Sequence, residues 1–153
     1  ETTMTIAIDA ARDTDLPAVL VLLERAGLPQ DGLSEHLATT LVAREDGAIV
    51  GSAALELYDA AALLRSVAVD EAWRGRGLGQ RLTRAALDLA QRYGVTLVYL
   101  LTETAGDFFP RFGFRPTERS AVDQAVQQSV EFTGACPVSA QVLVASLGDT
   151  GRR

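Results

Sequence analysis

The spacing of apolar and polar residues along the chain predicts a domain of alternating strands and helices. Alternating or continuous apolar segments of five to ten residues are typical of strands, and apolar positions three and four residues apart are typical of one buried helix face. Asp46 and Gly47 supply a hairpin turn between two of the strands. Strands are predicted at residues 5–10, 40–44, 49–58, 63–69, 95–101 and 141–147, and another begins at Phe114.

Helices are predicted between these strands. A first helix can be capped by Asp13 or Thr14 and ends at Gly27. The strongest helical pattern begins at Leu78 and predicts an amphipathic helix of about four turns that is closed by Gly94. Shorter helices are expected at residues 33–39, 105–112 and 121–130. The pattern therefore favours one mixed α/β sheet with helices packed on it.

Composition narrows the classes of function. The chain has 153 residues and a formal net charge of −6, and all of its 14 basic residues are arginine. The absence of lysine excludes a Schiff-base lysine and a Walker-type phosphate loop. The acidic balance argues against nucleic-acid binding, and no apolar run is long enough to predict a membrane span. The single cysteine, Cys136, cannot form an intramolecular disulfide, which favours a reducing, cytoplasmic location.

The segment Arg74–Gly79 carries the clearest chemical signal. Its three glycines lie between an apolar strand and the strong helix, where backbone amides without intrahelical partners can bind a phosphate. A dinucleotide fingerprint does not fit, because its third glycine position falls on Gln80. A tight turn with solvated arginines remains open as the plain alternative.

The motif Arg74-x-x-Gly77-x-Gly79 resembles the acyl-coenzyme A loop of the GCN5-related N-acetyltransferase (GNAT) superfamily. The segment from Leu63 to Arg74 before it and Ala105–Phe114 after it extend the resemblance. It implies a mostly antiparallel sheet of about seven strands with helices on both faces, splayed between strands 4 and 5. It also implies direct attack of an amine on acetyl-CoA, with the oxyanion held by the Val67 N–H. The cofactor-binding residues implied are Val67, Ala68, Val69, Arg74, Gly75, Arg76, Gly77, Leu78, Gly79, Gln80 and Phe109.

The chain departs from the superfamily at two positions. Phe109 replaces a tyrosine that protonates the departing thiolate in many members, and Thr102 replaces an asparagine. The segment from Tyr99 to Phe114 resembles short N-acetylglutamate synthases, and the late motif from Glu131 to Ala140 resembles a subfamily associated with arsenic resistance. Both resemblances imply an amino acid or an amino-acid analogue as substrate. No chemistry can be derived for the late motif itself.

An amino-acid substrate requires a cation for its carboxylate and a base for its amine. Arg65 is the candidate cation, because a charged side chain inside an apolar strand requires a partner. A salt bridge to Glu56 or to another carboxylate of the sheet is the alternative. Glu103 or Glu56 is the candidate base, and Thr102 a further substrate-binding residue.

Other residues that could carry chemistry are interpreted as structural. His36, the only histidine, is expected at the surface, and no cluster of metal ligands accompanies it. Cys136 is interpreted as structural, since direct transfer to the amine forms no covalent enzyme intermediate.

We therefore expect residues 4–148 to form one acetyltransferase domain, with residues 1–3 as an addition and 149–153 as a tail. The expected reaction moves an acetyl group from acetyl-CoA to a small-molecule amine, without metal. The expected partners include no nucleic acid and no membrane, and homodimers are common among similar proteins. A non-catalytic acyl-CoA sensor or partner-binding domain is the alternative.

Overall fold

The computed structural model describes residues 6–103, 107–136 and 139–147. Its elements follow the predicted order. The strands are β1 (Ile6–Ala10), β2 (Thr40–Glu45), β3 (Ala48–Tyr58), β4 (Ala61–Val69), β5 (Leu97–Thr102), β6 (Arg115–Thr117) and β7 (Gln141–Ser146), and the α-helices are α1 (Leu16–Ala26) and α2 (Leu78–Arg92).

The strands form one seven-stranded mixed sheet, as predicted. Their order in the sheet is β1-β2-β3-β4-β5-β7-β6. β2 pairs antiparallel with both β1 and β3. β7 pairs antiparallel with both β5 and β6. β4 runs parallel to β5, with Ala61–Leu63 aligned to Leu97–Tyr99. Asp46 and Gly47 both have positive φ, 56° and 88°, which confirms the two-residue hairpin turn between β2 and β3.

The chain divides into two compact units. The first contains the described residues up to Ala54 together with Ser66–Ala86. Its core includes one face of α1, where Val19 and Leu23 are fully buried and Leu22 is nearly so. The residues of this core are Val19, Leu22, Leu23, Leu33, Val42, Ala54 and Ala68.

The second unit contains Leu55–Arg65 and the described residues from Leu87 onward. Its core brings β4, β5 and β7 together with the segment that connects β6 to β7. Val122 and Val126 are the side chains of that segment that belong to this core. The core residues are Ala61, Leu63, Tyr99, Val122, Val126, Val142 and Val144.

The prediction of a helix at residues 121–130 is wrong. The segment instead forms 3₁₀ turns at Arg119–Ala121 and Val126–Gln128, followed by a π turn at Glu131–Ala135. Its polar side chains bond to nearby backbone and compete with helical pairing. Asp123 accepts the Ala125 N–H at 2.9 Å, and the Gln127 amide donates to the Val122 carbonyl at 2.8 Å.

The helix predicted at residues 105–112 lies partly outside the described residues. Its described part contains one 3₁₀ turn, Phe109–Phe112, which ends as predicted at Gly113. The strand expected from Phe114 begins one residue later, at Arg115.

Candidate active site and cofactor loop

The loop between β4 and α2 exposes a helix N-terminus at the surface of the first unit. Gly75 and Gly77 have φ values of 80° and 81°, a conformation that residues with a side chain rarely adopt. The Gly77 carbonyl accepts the Arg81 N–H at 3.1 Å and so begins the helix. The amides of residues 78–80 therefore precede the first N–H that donates within the helix, that of Arg81. This is the arrangement that binds an anion at a helix N-terminus.

Two arginines of this loop are held by contacts within it. The Arg74 Nε donates to the Val69 carbonyl at 3.2 Å, and the Arg76 guanidinium lies 4.8 Å from the centroid of the Trp73 ring. Each guanidinium has five N–H donors, so these contacts leave donors for an oxyanion. Residues 74–77 of the predicted loop thus form an exposed, positively charged segment, whereas Leu78 is buried and Gly79 and Gln80 are half-buried.

A pocket of about 600 Å³ lies beside this loop, within the size range of small-molecule sites. Arg25 contributes a cation from the last turn of α1, and Arg74 contributes one from the loop. Sequence reasoning missed Arg25, because a basic residue in the last turn of a helix is common in any protein. The full lining consists of Leu22, Arg25, Val69, Asp70, Glu71, Ala72 and Arg74.

A backbone irregularity interrupts β4 immediately before Val67. Ser66 has a φ of 61°, a left-handed conformation that costs a non-glycine residue about 1–3 kcal/mol. The Ser52 hydroxyl donates to the Ser66 carbonyl at 2.7 Å, and both residues are buried. The predicted cofactor residues Val67 and Val69 are half-buried, whereas Ala68 belongs to the core. Strain of this kind clusters at functional sites.

The second unit contains a buried ion cluster made of Glu56, Arg65 and Glu131. Arg65 Nη1 donates to Glu56 Oε2 at 2.8 Å, and Arg65 Nε lies 3.3 Å from Glu131 Oε2. The Arg65 side chain is 0% exposed and the two glutamates are almost as buried. One guanidinium therefore pairs with two carboxylates in a buried environment, where an unpaired charge would be strongly destabilising.

Two neighbouring side chains donate hydrogen bonds to the two carboxylates of this buried ion cluster. The Tyr58 hydroxyl donates to Glu56 Oε1 at 2.5 Å, and the Cys136 thiol donates to Glu131. Burial, followed by the neighbouring Glu56, raises the pKa of Tyr58 above its usual range. Burial, followed by the charge of Glu131, raises the pKa of Cys136 to about 12. Both groups consequently stay protonated near neutral pH and act as donors.

The cluster accounts for two observations from the sequence. Arg65 pairs with Glu56, the alternative that its position in an apolar strand left open. Glu131, which begins the late motif, pairs with Arg65 from a segment distant in sequence. Sequence reasoning missed Glu131 as a partner; the only signal was an acidic residue in a segment with apolar neighbours.

The remaining predicted residues of the second unit lie near the end of β5 and after it. Thr102 ends β5 half-buried, and Glu103 is exposed and close enough to Cys136 to contribute to its raised pKa. Phe109 is half-buried and packs edge-on against Phe108 and Phe114, with ring centroids 5.0 and 5.9 Å away. A phenyl ring at position 109 provides apolar contact and no proton.

The described residues contain neither a metal-binding group nor a membrane-spanning helix. No three His, Cys, Asp or Glu side chains among residues 6–103, 107–136 and 139–147 lie together as a metal-binding group. No helix in the described part of the chain is long and apolar enough to cross a membrane.

The sequence of the chain is similar to those of a known protein family. The sequence model of the acetyltransferase (GNAT) domain matches residues 36–116, which include β2 to β5 and the loop. An uncharacterized N-acetyltransferase of Chlorobaculum tepidum, CT2212, is 32% identical over 97 residues, which are 63% of this chain and 62% of that protein.

Two solved structures share the fold. The N-acetylglutamate synthase of Neisseria gonorrhoeae, complexed with coenzyme A and N-acetyl-glutamate, has a TM-score of 0.81 and 22% identity over 97% of this chain. The matched region is 36% of that enzyme, so this chain spans about a third of its length. Rv2747 of Mycobacterium tuberculosis, in complex with CoA, has a TM-score of 0.79 and 25% identity, over 93% of this chain and 99% of Rv2747. The family match, the sheet and the loop at the start of α2 together establish that the chain belongs to the GNAT acetyltransferase family.

Proposed function

We propose that this protein transfers an acetyl group from acetyl-CoA to the amine of an amino acid or a closely related small molecule. The observation that carries the proposal is the loop of residues 74–80, where two exposed arginines directly precede the N-terminus of a 15-residue helix. Two solved relatives are CoA complexes, and one of them also holds N-acetyl-glutamate, which supports both the donor and the class of acceptor.

The loop holds the pyrophosphate of the donor in this proposal. The amides of residues 75–80 donate hydrogen bonds, and Arg74 and Arg76 supply positive charge. Val67 and Val69 pair through their backbone with the pantetheine arm, and Ala68 keeps this part of β4 in the core. Phe109 forms an apolar wall for the arm.

Bound acetyl-CoA supplies a thioester carbonyl that a neutral amine can attack and a thiolate that can depart. The Val67 N–H donates to the oxyanion that develops on that carbonyl. Phe109 supplies no proton, so the thiolate leaves unassisted or with a proton from solvent, as the modest basicity of a thiolate permits.

Glu103 is the better supported of the two predicted bases. It is exposed at the end of β5 and can remove the amine proton through water. Glu56 is 1% exposed, and both of its carboxylate oxygens already accept hydrogen bonds, from Tyr58 and from Arg65. We therefore assign Glu56 and Arg65 to the support of β3 and β4, and Thr102 to contact with the substrate.

Titration calorimetry with acetyl-CoA tests the donor. We expect a dissociation constant in the micromolar range, typical of enzyme substrates. Arg74→Ala should weaken binding about 10- to 100-fold, because a charge-assisted hydrogen bond contributes about 1.5–3 kcal/mol. Arg92→Ala is the matched control, since Arg92 is exposed at the opposite end of the same helix. Absence of binding by the intact protein contradicts the proposal.

Release of free thiol from acetyl-CoA tests the acceptor. The panel includes glutamate, glutamine, other amino acids, and phosphinic and arsinic analogues, with an amine-free reaction as the blank. Turnover with an amino acid or such an analogue supports the proposal. Tight binding without turnover of any amine would instead indicate a non-catalytic acyl-CoA sensor, the alternative that the missing tyrosine at position 109 leaves open.

A further inference from the structure

We propose that Ser52 is a positioning residue for acetyl transfer, because its hydroxyl fixes and polarises the peptide that carries the Val67 N–H. This inference rests on the proposed function, in which that N–H stabilises the oxyanion. It concerns a residue on β3 that has no place in the loop or the pocket described above.

The geometry links Ser52 to one peptide group. The Ser52 Oγ donates to the Ser66 carbonyl at 2.7 Å. The Ser66 carbonyl and the Val67 N–H belong to the same planar trans peptide and point in opposite directions. A bond that holds the carbonyl therefore also sets the direction in which the N–H points.

The need for such a bond follows from the backbone of β4. Ser66 has a φ of 61°, so the strand departs from its extended conformation next to this peptide. A strained conformation persists only where surrounding contacts determine it. The Ser52 side chain is one such contact, and its residue is 0% exposed, so no water competes for the hydroxyl.

Polarisation acts in the same direction as orientation. A hydrogen bond accepted by a peptide carbonyl makes the N–H of that peptide a stronger donor. An oxyanion donor that is oriented before the reaction costs no reorganisation during it. Ser52 therefore contributes to the transition state more than to binding of the donor.

Kinetics of three variants test the inference. Removal of a direct oxyanion donor lowers kcat about 100- to 1,000-fold, and Ser52 acts one peptide away, so we expect Ser52→Ala to lower kcat about tenfold. The KM for acetyl-CoA and its calorimetric dissociation constant should stay within about twofold of the wild-type values. Ser52→Thr should restore kcat, and Ser52→Cys, a weaker donor of similar size, replaces it if threonine does not fold.

Thr40→Val is the matched control. Thr40 is also 0% exposed and its hydroxyl donates to a backbone carbonyl, that of His36, at 2.9 Å. It should lower stability without lowering kcat. Wild-type kcat in folded Ser52→Ala, or a change confined to KM, would overturn the inference.

A spectroscopic measurement separates this inference from the proposed function. Loss of the bond to the Ser66 carbonyl should move the amide ¹⁵N resonance of Val67 upfield in Ser52→Ala, and Ser52→Thr should reverse the shift. An unchanged resonance overturns the inference even if the wild type turns over amines. If the resonance moves but the wild type neither binds nor cleaves acetyl-CoA, the proposed function fails and the catalytic role of Ser52 fails with it, whereas the link to the peptide stands.

Discussion

Replacement of Arg65 by methionine should destabilise the protein severely, because it leaves two buried carboxylates without their cation. Arg65 contacts Glu56 at 2.8 Å and Glu131 at 3.3 Å, and its own side chain is 0% exposed. Methionine keeps an apolar stem of similar length and removes the guanidinium group with its charge and its donors. The variant therefore retains the packing of the stem and tests what the guanidinium contributes.

The expected loss follows from the burial of the cluster. Removal of one partner from a buried ion pair costs about 3–5 kcal/mol. Because Arg65 serves two carboxylates, we expect the upper part of that range, about 4–5 kcal/mol. Domains of this kind have free energies of unfolding of about 5–15 kcal/mol, so the variant should be marginally folded at pH 7. The deficit should shrink as the pH falls, since protonation of either carboxyl removes the repulsion between them.

Urea unfolding followed by circular dichroism measures this effect. Wild type and Arg65→Met are compared at pH 7 and pH 5.5, with Arg115→Met as the control for loss of an exposed arginine. Such surface changes are usually within about 0.5 kcal/mol. The triple change of Glu56, Arg65 and Glu131 to methionine should be more stable than Arg65→Met alone, because no buried charge remains. A loss below about 1 kcal/mol for Arg65→Met would refute this reasoning and would restore Arg65 as a candidate for the substrate carboxylate.

Two further predictions concern groups whose pKa the fold changes. The guanidinium of Arg44, which makes two hydrogen bonds to Asp15 at 2.8 and 2.6 Å, lowers the pKa of that carboxyl to about 2. This pair should contribute about 2 kcal/mol to the free energy of unfolding above pH 4, and the contribution is lost as the pH falls toward 2. Urea unfolding should therefore show Asp15→Asn less stable than wild type at pH 7 and nearly as stable at pH 2. A difference in stability that stays the same at pH 2 would contradict the prediction. Cys136, with its pKa raised to about 12, should react with a disulfide reagent at pH 8 at about a hundredth of the rate of a free cysteine or less, because the thiolate is the nucleophile. Unfolding in urea should restore the ordinary rate, and fast labelling of the native protein would show that the thiol is not held protonated.

Local patterns predicted most of the fold. The Asp46–Gly47 turn, the amphipathic spacing from Leu78 and the glycines of the loop each act through neighbours in sequence, so one sequence is sufficient to locate them. The predicted strands from 40 to 69 and from 95 to 101 consequently agree with the structure to within two residues or fewer at most ends.

Two features could not be predicted from local patterns. The segment 121–130 has helical spacing, yet it forms 3₁₀ turns from which Val122 and Val126 enter the core. It does not form the helix because side-chain hydrogen bonds to the backbone replace helical pairing. The partner of Arg65 at position 131 depends on a tertiary contact between distant segments, which no spacing rule reports. For the same reason the sequence indicated that Arg65 needed a carboxylate but left open whether the protein or the substrate supplies it.

The stacking of Arg76 on Trp73 places an intrinsic fluorophore in the loop. Trp73 is the single tryptophan of the chain, and the guanidinium lies 4.8 Å from the centre of its ring. A ligand that draws Arg76 away from the indole changes the polarity and the charge around this one fluorophore. Intrinsic emission can therefore follow events at the helix N-terminus in the unmodified protein, without background from any other indole.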